Sequence, residues 1–322
     1  MKFRTEVDIT DSPLKIGMED KIFTMGSCFA TEMAQLFSDG QLQTLNNPFG
    51  TIFNPFSIRV ALQRLHDAYV YREEDLISYN DEFISLEHHS SFNSNYLHKS
   101  LEKINLSTQE GNQFLQESNW IIITYGTAFV YEFLPKNVGV ANCHKIPQKF
   151  FNKRLLTHNE LVENIEETIL SLKDICPDEV QILFSVSPVR HTKDGMVENT
   201  RSKALLISAL HDAIADLDYC HYLPIYEILM DDLRDYRFYK DDMIHPNSQA
   251  VNYVFEKFSK SYFAEETKAF VSENFKINQG LNHRTQDPSN PKFIAFQEQI
   301  QEKIKLQQAK VKHSIFKHGN QL

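Results

Sequence analysis

Short unbroken apolar runs alternate along this chain with stretches of helical period. Lys21-Ile-Phe-Thr-Met25 has the length and character of a buried strand and stops at Gly26. The apolar positions that follow, Cys28, Phe29, Met33, Leu36 and Phe37, carry the three-to-four spacing of a helix face. Trp120-Ile-Ile-Ile-Thr124, ending at Tyr125-Gly126-Thr127, and Val180-Gln-Ile-Leu-Phe-Ser-Val186, ending at Ser187-Pro188, repeat the strand pattern, and 219–223 predicts a further strand. Runs that are apolar throughout mark parallel strands covered on both faces. Helical patterns over 161–175 and 199–217 lie between them. Strands alternating with helices predict βαβ units with right-handed crossovers, hence an α/β fold with a doubly wound, mostly parallel sheet in a three-layer sandwich. In such sheets the working residues gather in loops at the carboxyl ends of the strands, and Ser27, Gly126, Thr127 and Arg190 all occupy that kind of position.

Two regions break the alternation. Residues 46–118 mix aromatic and polar residues, as in Asn47-Pro-Phe-Gly-Thr-Ile-Phe-Asn-Pro55 and Glu87-His-His-Ser-Ser-Phe92, and are expected to form an irregular insertion after the first βα unit that walls a pocket. Near the other end, 280–291 has the composition of a linker, and 293–316 reads as one long helix. Phe293, Ile300, Ile304, Val311 and Ile315 fall near heptad spacing there, a stripe expected to pack on the domain or on a second subunit as a homo-oligomer contact. The expected division is therefore a catalytic domain over 1–260 and a linker with a C-terminal helical extension over 261–322.

Composition narrows the function. With 33 Lys and Arg against 43 Asp and Glu, a formal charge of -10 and no dense basic run, nucleic acid and anionic membrane surfaces are excluded as expected partners. No stretch reaches the about 20 apolar residues of a membrane helix, and the N-terminus lacks the apolar block of a secretory signal, so the expected location is cytoplasmic. Cys28, Cys143, Cys176 and Cys220 are scattered without zinc-ligand spacing and read as reduced, buried thiols. Cys28 in particular is expected in the core. Adjacent His88 and His89 lack the i, i+4 spacing of a helical metal site, so no metal is expected there.

Two elements carry chemistry. Met25-Gly-Ser-Cys-Phe-Ala30 sets Ser27 on a sharp strand-to-helix turn, where its hydroxyl points out of the sheet edge toward helix-start N–H groups that stabilise an oxyanion. A serine before a helix is equally a common N-cap. Tyr239-Lys-Asp-Asp-Met-Ile-His-Pro-Asn-Ser248 contains Asp242-x-x-His245. A serine hydroxyl needs a base at neutral pH, and a carboxylate beside an imidazole fixes its tautomer and steadies its charged form. An Asp and a His in one solvated loop also occur without any such role. Arg190, just past a strand end, suits a clamp on a substrate carboxylate or sugar hydroxyl, or an ordinary salt bridge.

Together these elements resemble the SGNH/GDSL hydrolase superfamily, in which a serine near the N-terminus and an Asp-x-x-His near the C-terminal end supply the triad. The resemblance is closer to the GSCFA family, whose signature Gly26-Ser-Cys-Phe-Ala30 spells, and Tyr125-Gly-Thr-Ala-Phe-Val-Tyr131, Ala141-Asn-Cys-His-Lys145, Ser187-Pro-Val-Arg190 and His245-Pro-Asn247 are similar to its internal motifs. The resemblance covers about 21–258. It implies a flavodoxin-like fold of SGNH type, with Ser27 as nucleophile, Asp242 and His245 as its activating pair, and no cofactor. It further implies oxyanion donors at the backbone N–H of Ser27 and of Gly50, with Gly126 and Thr127 standing where many superfamily members have Gly-x-Asn-Asp. The asparagine is absent here, so the third donor is open among Thr127, Asn142 and His89; His144 is a further pocket candidate. The implied activity is hydrolysis of an acyl ester, acetyl first among the candidates, on a small molecule or carbohydrate. Acyl transfer to a sugar hydroxyl by the same triad, or a non-catalytic binding or scaffold role, are the alternatives.

Overall fold

A computed structural model describes residues 5–283 and 290–316. Its strands and helices, in chain order, begin with β1 (Lys21–Gly26), α1 (Cys28–Asp39), β2 (Gln43–Asn46) and α2 (Pro55–His66). There follow β3 (Ile77–Tyr79), β4 (Glu82–Ile84), α3 (Leu97–Leu115), β5 (Trp120–Tyr125), β6 (Phe129–Phe133), β7 (Val138–Val140) and β8 (Phe151–Leu155). The remainder comprises α4 (His158–Ile175), β9 (Gln181–Val186), α5 (Met196–Ile214), β10 (Cys220–Tyr222), a helical turn α6 (Ile225–Glu227), α7 (Ser248–Tyr262), α8 (Glu265–Leu281) and α9 (Pro291–Gln308).

The central sheet has five strands in the order β10-β9-β5-β1-β2, every neighbouring pair parallel. Successive strand residues point to opposite faces, and each face has its own helical layer. Phe23, Met25, Ile121, Ile123, Ile182 and Phe184 pack with α2, α3, α4 and α5, through side chains such as Leu62, Ile104, Ile165 and Leu206. Ile22, Trp120, Ile122 and Leu183 meet Phe29, Met33 and Phe37 of α1, Val254 and Phe258 of α7, and Phe270 of α8 on the other face. Full burial of a side chain of this size contributes about 1.5–3 kcal/mol, and both faces of β1, β5 and β9 gain it, which is why these strands read as unbroken apolar runs.

The chain runs outward from β1 to β2, then returns past β1 to β5 before continuing to β9 and β10. The direction of winding therefore reverses between β1 and β5, where Gly26 pairs with Thr124. Helices leave opposite faces of the sheet at such a switch point and open a crevice above the strand ends.

Three expectations need correction. The stretch 46–118 is not an irregular insertion: α2 and α3 are full members of a helical layer, and only the β3–β4 hairpin and its flanking turns lie outside it. The hairpin packs on a three-stranded antiparallel sheet, β7-β6-β8, through Ile84, Leu86, Phe133, Val140 and Ile146. Residues 265–281, expected in the extension, form α8, whose buried Phe270, Val271 and Ile277 join the domain core. The long C-terminal helix stops at Gln308, so Val311 and Ile315 lie in a tail rather than on its stripe; both are buried. Ile300 packs against Gly280 of α8, so the stripe meets its own domain. Of the expected linker, 284–289 lies outside the described residues. No helix among the described residues is long and apolar enough to cross a membrane.

Candidate active site

The end of β1 admits only glycine. Gly26 has φ of +142°, and a Cβ there would stand 2.2 Å from the Thr124 carbonyl oxygen. This close approach lets the Gly26 N–H donate to Asn47 Oδ1 at 2.7 Å and the Ser27 N–H to the Thr124 oxygen at 3.1 Å, fixing the backbone on both sides of the serine. Ser27 is extended at the N-cap position of α1, yet its hydroxyl makes no capping bond. Its residue is 3% exposed and its Oγ has no hydrogen-bond partner among the described residues. The bland capping role is therefore not the one observed. The first turn of α1 carries no acidic side chain, so the positive end of the helix and its first N–H groups stand beside an uncommitted hydroxyl. Cys28 is exposed rather than in the core, because the buried face of α1 begins at Phe29 and the preceding position turns roughly 100° away from it.

The Asp242–His245 loop is built as a unit. His245 Nδ1 lies 2.7 Å from Asp242 Oδ2, while the N–H groups of Ile244 and His245 donate to Asp242 Oδ1 at 2.8 and 2.9 Å. These bonds, the His245 N–H first among them, hold the Asp242 carboxyl well below the usual carboxylate range. The Lys240 N–H closes the loop onto the His245 carbonyl at 2.7 Å, and Asn247 caps α7 by accepting from the Ala250 N–H while its amide donates to the Arg237 carbonyl. With Nδ1 turned to the carboxylate, Nε2 is the free ring nitrogen and makes no hydrogen bond among the described residues.

Two contacts dock this loop at the sheet edge that carries Ser27. Lys240 Nζ pairs with Glu32 of α1 at 2.8 Å, little more than a turn beyond the serine. From the end of β9, the Arg190 N–H donates to the Ile244 carbonyl, its Nη1 donates to the Met243 carbonyl, and its guanidinium lies 4.1 Å from the Tyr239 ring centre. Arg190 thus brackets the loop and has no carboxylate partner among the described residues. The Ser27 hydroxyl and the His245 imidazole are brought to one edge but are not hydrogen-bonded to each other.

The expected oxyanion donors are mostly committed elsewhere, beginning with the Ser27 N–H, which is spent on the Thr124 carbonyl because Gly26 brings the two strand ends so close. The Gly50 N–H donates to the Asn47 carbonyl at 2.7 Å and closes the Asn47–Gly50 turn; its φ of +76° and the His89 Cβ packed against it again require glycine. The Gly126 N–H donates to the Phe53 carbonyl at 2.7 Å. The Thr127 hydroxyl is buried against Ser202 Oγ at 3.0 Å and accepts from the Phe129 N–H. His89 accepts the Ser91 N–H on its Nδ1, beside the Gly50 turn. Asn142 accepts the His144 N–H, and His144 spends both ring nitrogens, on Asn93 and on the Ser85 carbonyl, with burial pushing its basicity down. Asn142 and His144 therefore stabilise the junction of the two accessory sheets, and the Thr127 hydroxyl is held against Ser202. Spacing alone reveals none of this, since each N–H or hydroxyl is claimed by a residue distant in sequence. His88 is buried, stacked on Phe49 at 4.2 Å. No group of three or more metal-ligating side chains occurs among the described residues.

Two residues at the site were not anticipated. Lys203 of α5 is 1% exposed, and its ammonium donates to the Gly126 carbonyl at 2.5 Å and the Ser187 carbonyl at 2.6 Å, tying together the loops that leave β5 and β9. Burial pushes it down to about 7. His191, immediately after Arg190, packs on Phe53 at 5.1 Å and alongside Gly126; its Nε2 is buried without a hydrogen-bond partner, and the neighbouring Gly126 backbone favours a proton on the ring. Burial, then the charges of Lys203 and Lys153, push His191 down to about 4. A signal for Lys203 exists in the sequence: Asn199, Lys203, Leu206 and Leu210 share one helical stripe, placing the lysine on the buried face.

Among solved structures the chain is similar to a family 3 carbohydrate esterase from Clostridium thermocellum, at 9% identity and a TM-score of 0.35, covering 79% of this chain and 99% of that one. A family 3 carbohydrate esterase from Talaromyces cellulolyticus gives 4% identity and a TM-score of 0.38 over 79% and 99% of the two chains. A DUF4886 family protein from Bacteroides uniformis gives 10% and 0.38 over 83% and 97%. No curated protein matches in sequence. The GSCFA family model matches residues 21–258, a span that runs from the first residue of β1 through the Ser27 turn and the Asp242–His245 loop into α7, and the chain belongs to that family.

Proposed function

We propose that the protein is a serine esterase of SGNH type that removes a small acyl group, acetyl foremost, from a hydroxyl of a carbohydrate. The observation that carries this reading is an uncommitted hydroxyl at the positive end of a helix, on the same sheet edge as a histidine whose second nitrogen is bonded to an ionised aspartate. His245 Nε2 removes the Ser27 proton as Oγ attacks the ester carbonyl; the N–H groups at the start of α1 face the charge that develops on the carbonyl oxygen. Asp242 steadies the imidazolium, which then protonates the leaving alkoxide. Water attacks the acyl-enzyme with His245 acting as base again, and the acid is released. The Ser27 and His245 side chains close to hydrogen-bonding distance when the substrate binds, a tightening common to catalytic pairs that stand apart in the empty enzyme. The enclosure of Ser27 favours a short acyl chain, and Tyr236, 63% exposed beside Arg190 at the rim, offers an aromatic face for a sugar ring.

The test is acetate release from p-nitrophenyl acetate and acetylated sugars, combined with fluorophosphonate labelling located by peptide mass spectrometry. The expected result is turnover with labelling at Ser27, both lost in Ser27→Ala. A protein that neither turns over these esters nor labels refutes the reading. Ester formation on an added sugar acceptor, in place of free acetate, would reassign the same triad to acyl transfer.

A further inference from the structure

In the switch-point crevice, the groups expected to complete an oxyanion site are spent within the fold, while a neighbouring imidazole is left without a partner. The N–H groups of Gly50 and Gly126 donate to main-chain carbonyls, and the Thr127 hydroxyl is held by Ser202. His191 Nε2, by contrast, is buried with no hydrogen bond, and Ser27 Oγ shares that condition. The two are joined by one short piece of chain: the Thr124 carbonyl receives the Ser27 N–H, and two residues on, the His191 Nε2 lies 3.2 Å from where a Cβ on Gly126 would stand. Leaving a buried polar atom unpaired costs stability, so two such atoms beside one strand end call for a ligand that pairs with both. An ester carbonyl attacked by Ser27 does so.

The imidazole is held for this purpose from several sides. The His191 backbone N–H donates to Asn199 Oδ1 at 2.9 Å, the ring packs on Phe53, and the Gly126 loop under it is pinned by the Lys203 ammonium. The charged groups that act on it are Lys203, Lys153 and His245, all cationic or able to become so, and together with burial they disfavour a second proton on the ring. A neutral ring with the hydrogen on Nε2 donates without competing with His245 as base.

We propose that His191 is a substrate-contacting residue of this site, its Nε2–H donating to the developing oxyanion in place of the Thr127 hydroxyl, and that Lys203 is the positioning residue beneath it. The inference rests on the esterase reading. Its chemistry adds no bond-making step: the hydrogen stays on Nε2 while negative charge grows on the carbonyl oxygen and is then lost as the C=O bond re-forms and the alkoxide departs.

The test compares ester hydrolysis by the full chain, His191→Phe and His191→Gln, with circular dichroism confirming the fold of each. His191→Phe is expected to lower kcat by about 10²–10³-fold with KM little changed, and His191→Gln, which keeps an N–H donor, to recover to within about tenfold of the original protein. An active parent with an equally active His191→Phe overturns this inference and leaves the esterase standing. A parent inert to esters and to fluorophosphonate overturns both. Because the phenylalanine variant has the risk of misfolding, nitrogen-15 NMR of the histidine rings is read on the original protein before and after phosphonylation of Ser27. The expected His191 Nε2 signal is of the protonated type, with its proton moved downfield in the adduct; an unprotonated Nε2, or no change on adduct formation, overturns the proposal. In Lys203→Met the His191 titration is expected to move up from about 4 toward 6.5, since a nearby positive charge is gone; an unmoved titration removes Lys203 from the proposal.

Discussion

Lys203 is the residue whose cost to the fold is easiest to measure. Its ammonium has two carbonyl partners and no carboxylate, so folding asks it to give up water without a counter-charge. Its folded-state value of about 7 lies below the ordinary 10.5, so between those two pH values the unfolded chain binds more protons and stability rises with pH; below 7 both states are protonated and the penalty is complete. Denaturant unfolding of the original protein and Lys203→Met is expected to give a stability difference that shifts in favour of the lysine protein by up to about 1.4 kcal/mol per pH unit on going from pH 7 to 9. A pH-independent difference would mean that the ammonium keeps its ordinary proton affinity. At the next residue of interest, Gly26→Ala places a methyl group 2.2 Å from the Thr124 oxygen at a φ of +142°, and loss of roughly 3 kcal/mol or more is expected in the same assay. Ser27, Asp242 and His245 are named by the sequence because their chemistry is carried by residue type and local spacing. His191 and Lys203 escape it because their importance lies in burial and in missing or neutral partners.

At the scale of elements, the proposed chemistry depends on two helix starts that are treated oppositely. The N-cap serine of α1 leaves its hydroxyl unspent, whereas Asn247 at the start of α7 caps fully and braces the preceding loop through the Arg237 carbonyl. Asn247→Ala is expected to cost about 1 kcal/mol of stability, as for the loss of an N-cap, and to lower kcat as well because His245 lies two residues earlier. Equal loss of stability with unchanged kcat would show that the loop holds its shape without the cap. Asp242→Asn keeps the loop bonds possible but removes the charge facing His245, and a fall in kcat of about 10⁴-fold with an intact melt is the expected outcome in steady-state assays. The strands β1, β5 and β9 are legible because both faces are covered. Strand β2 is not, since all four of its residues are only half-buried at the sheet edge and supply no apolar run. The small strands β6, β7 and β8 escape for a related reason: they gain their partner surface from the distant β3–β4 hairpin.

For the whole molecule, the strand order places the reversal of winding between β1 and β5, so the Ser27 turn and the Gly126 loop are neighbours although about a hundred residues separate them. The chain ends reinforce this body. The Val7 N–H donates to buried Asp232, which also pairs with Lys257, and in the C-terminal tail the Lys312 N–H donates to Glu19 while His313 reaches the Gln41 carbonyl. Helix α9 packs through Ile300 on Gly280, so Ile300→Asp, which sets an unpaired carboxylate in that contact, is expected to lower stability by about 2–4 kcal/mol without changing the sedimentation coefficient of the folded protein. A change in sedimentation would assign the stripe to a contact between copies.

The sequence by itself determined the alternation of buried strands and helices, and so the layered α/β class, because the burial of both faces of a parallel sheet is written into local apolar runs. It also named the serine turn and the Asp-x-x-His loop, whose roles follow from their functional groups. Only the tertiary structure decided which donors remain free: hydrogen bonds from Gly50 to Asn47, from Gly126 to Phe53 and between Thr127 and Ser202 withdraw those groups, while the His191 Nε2 is left buried without a partner. A polar group's availability depends on what else has already bonded to it, and that is settled by long-range packing rather than by its neighbours along the chain.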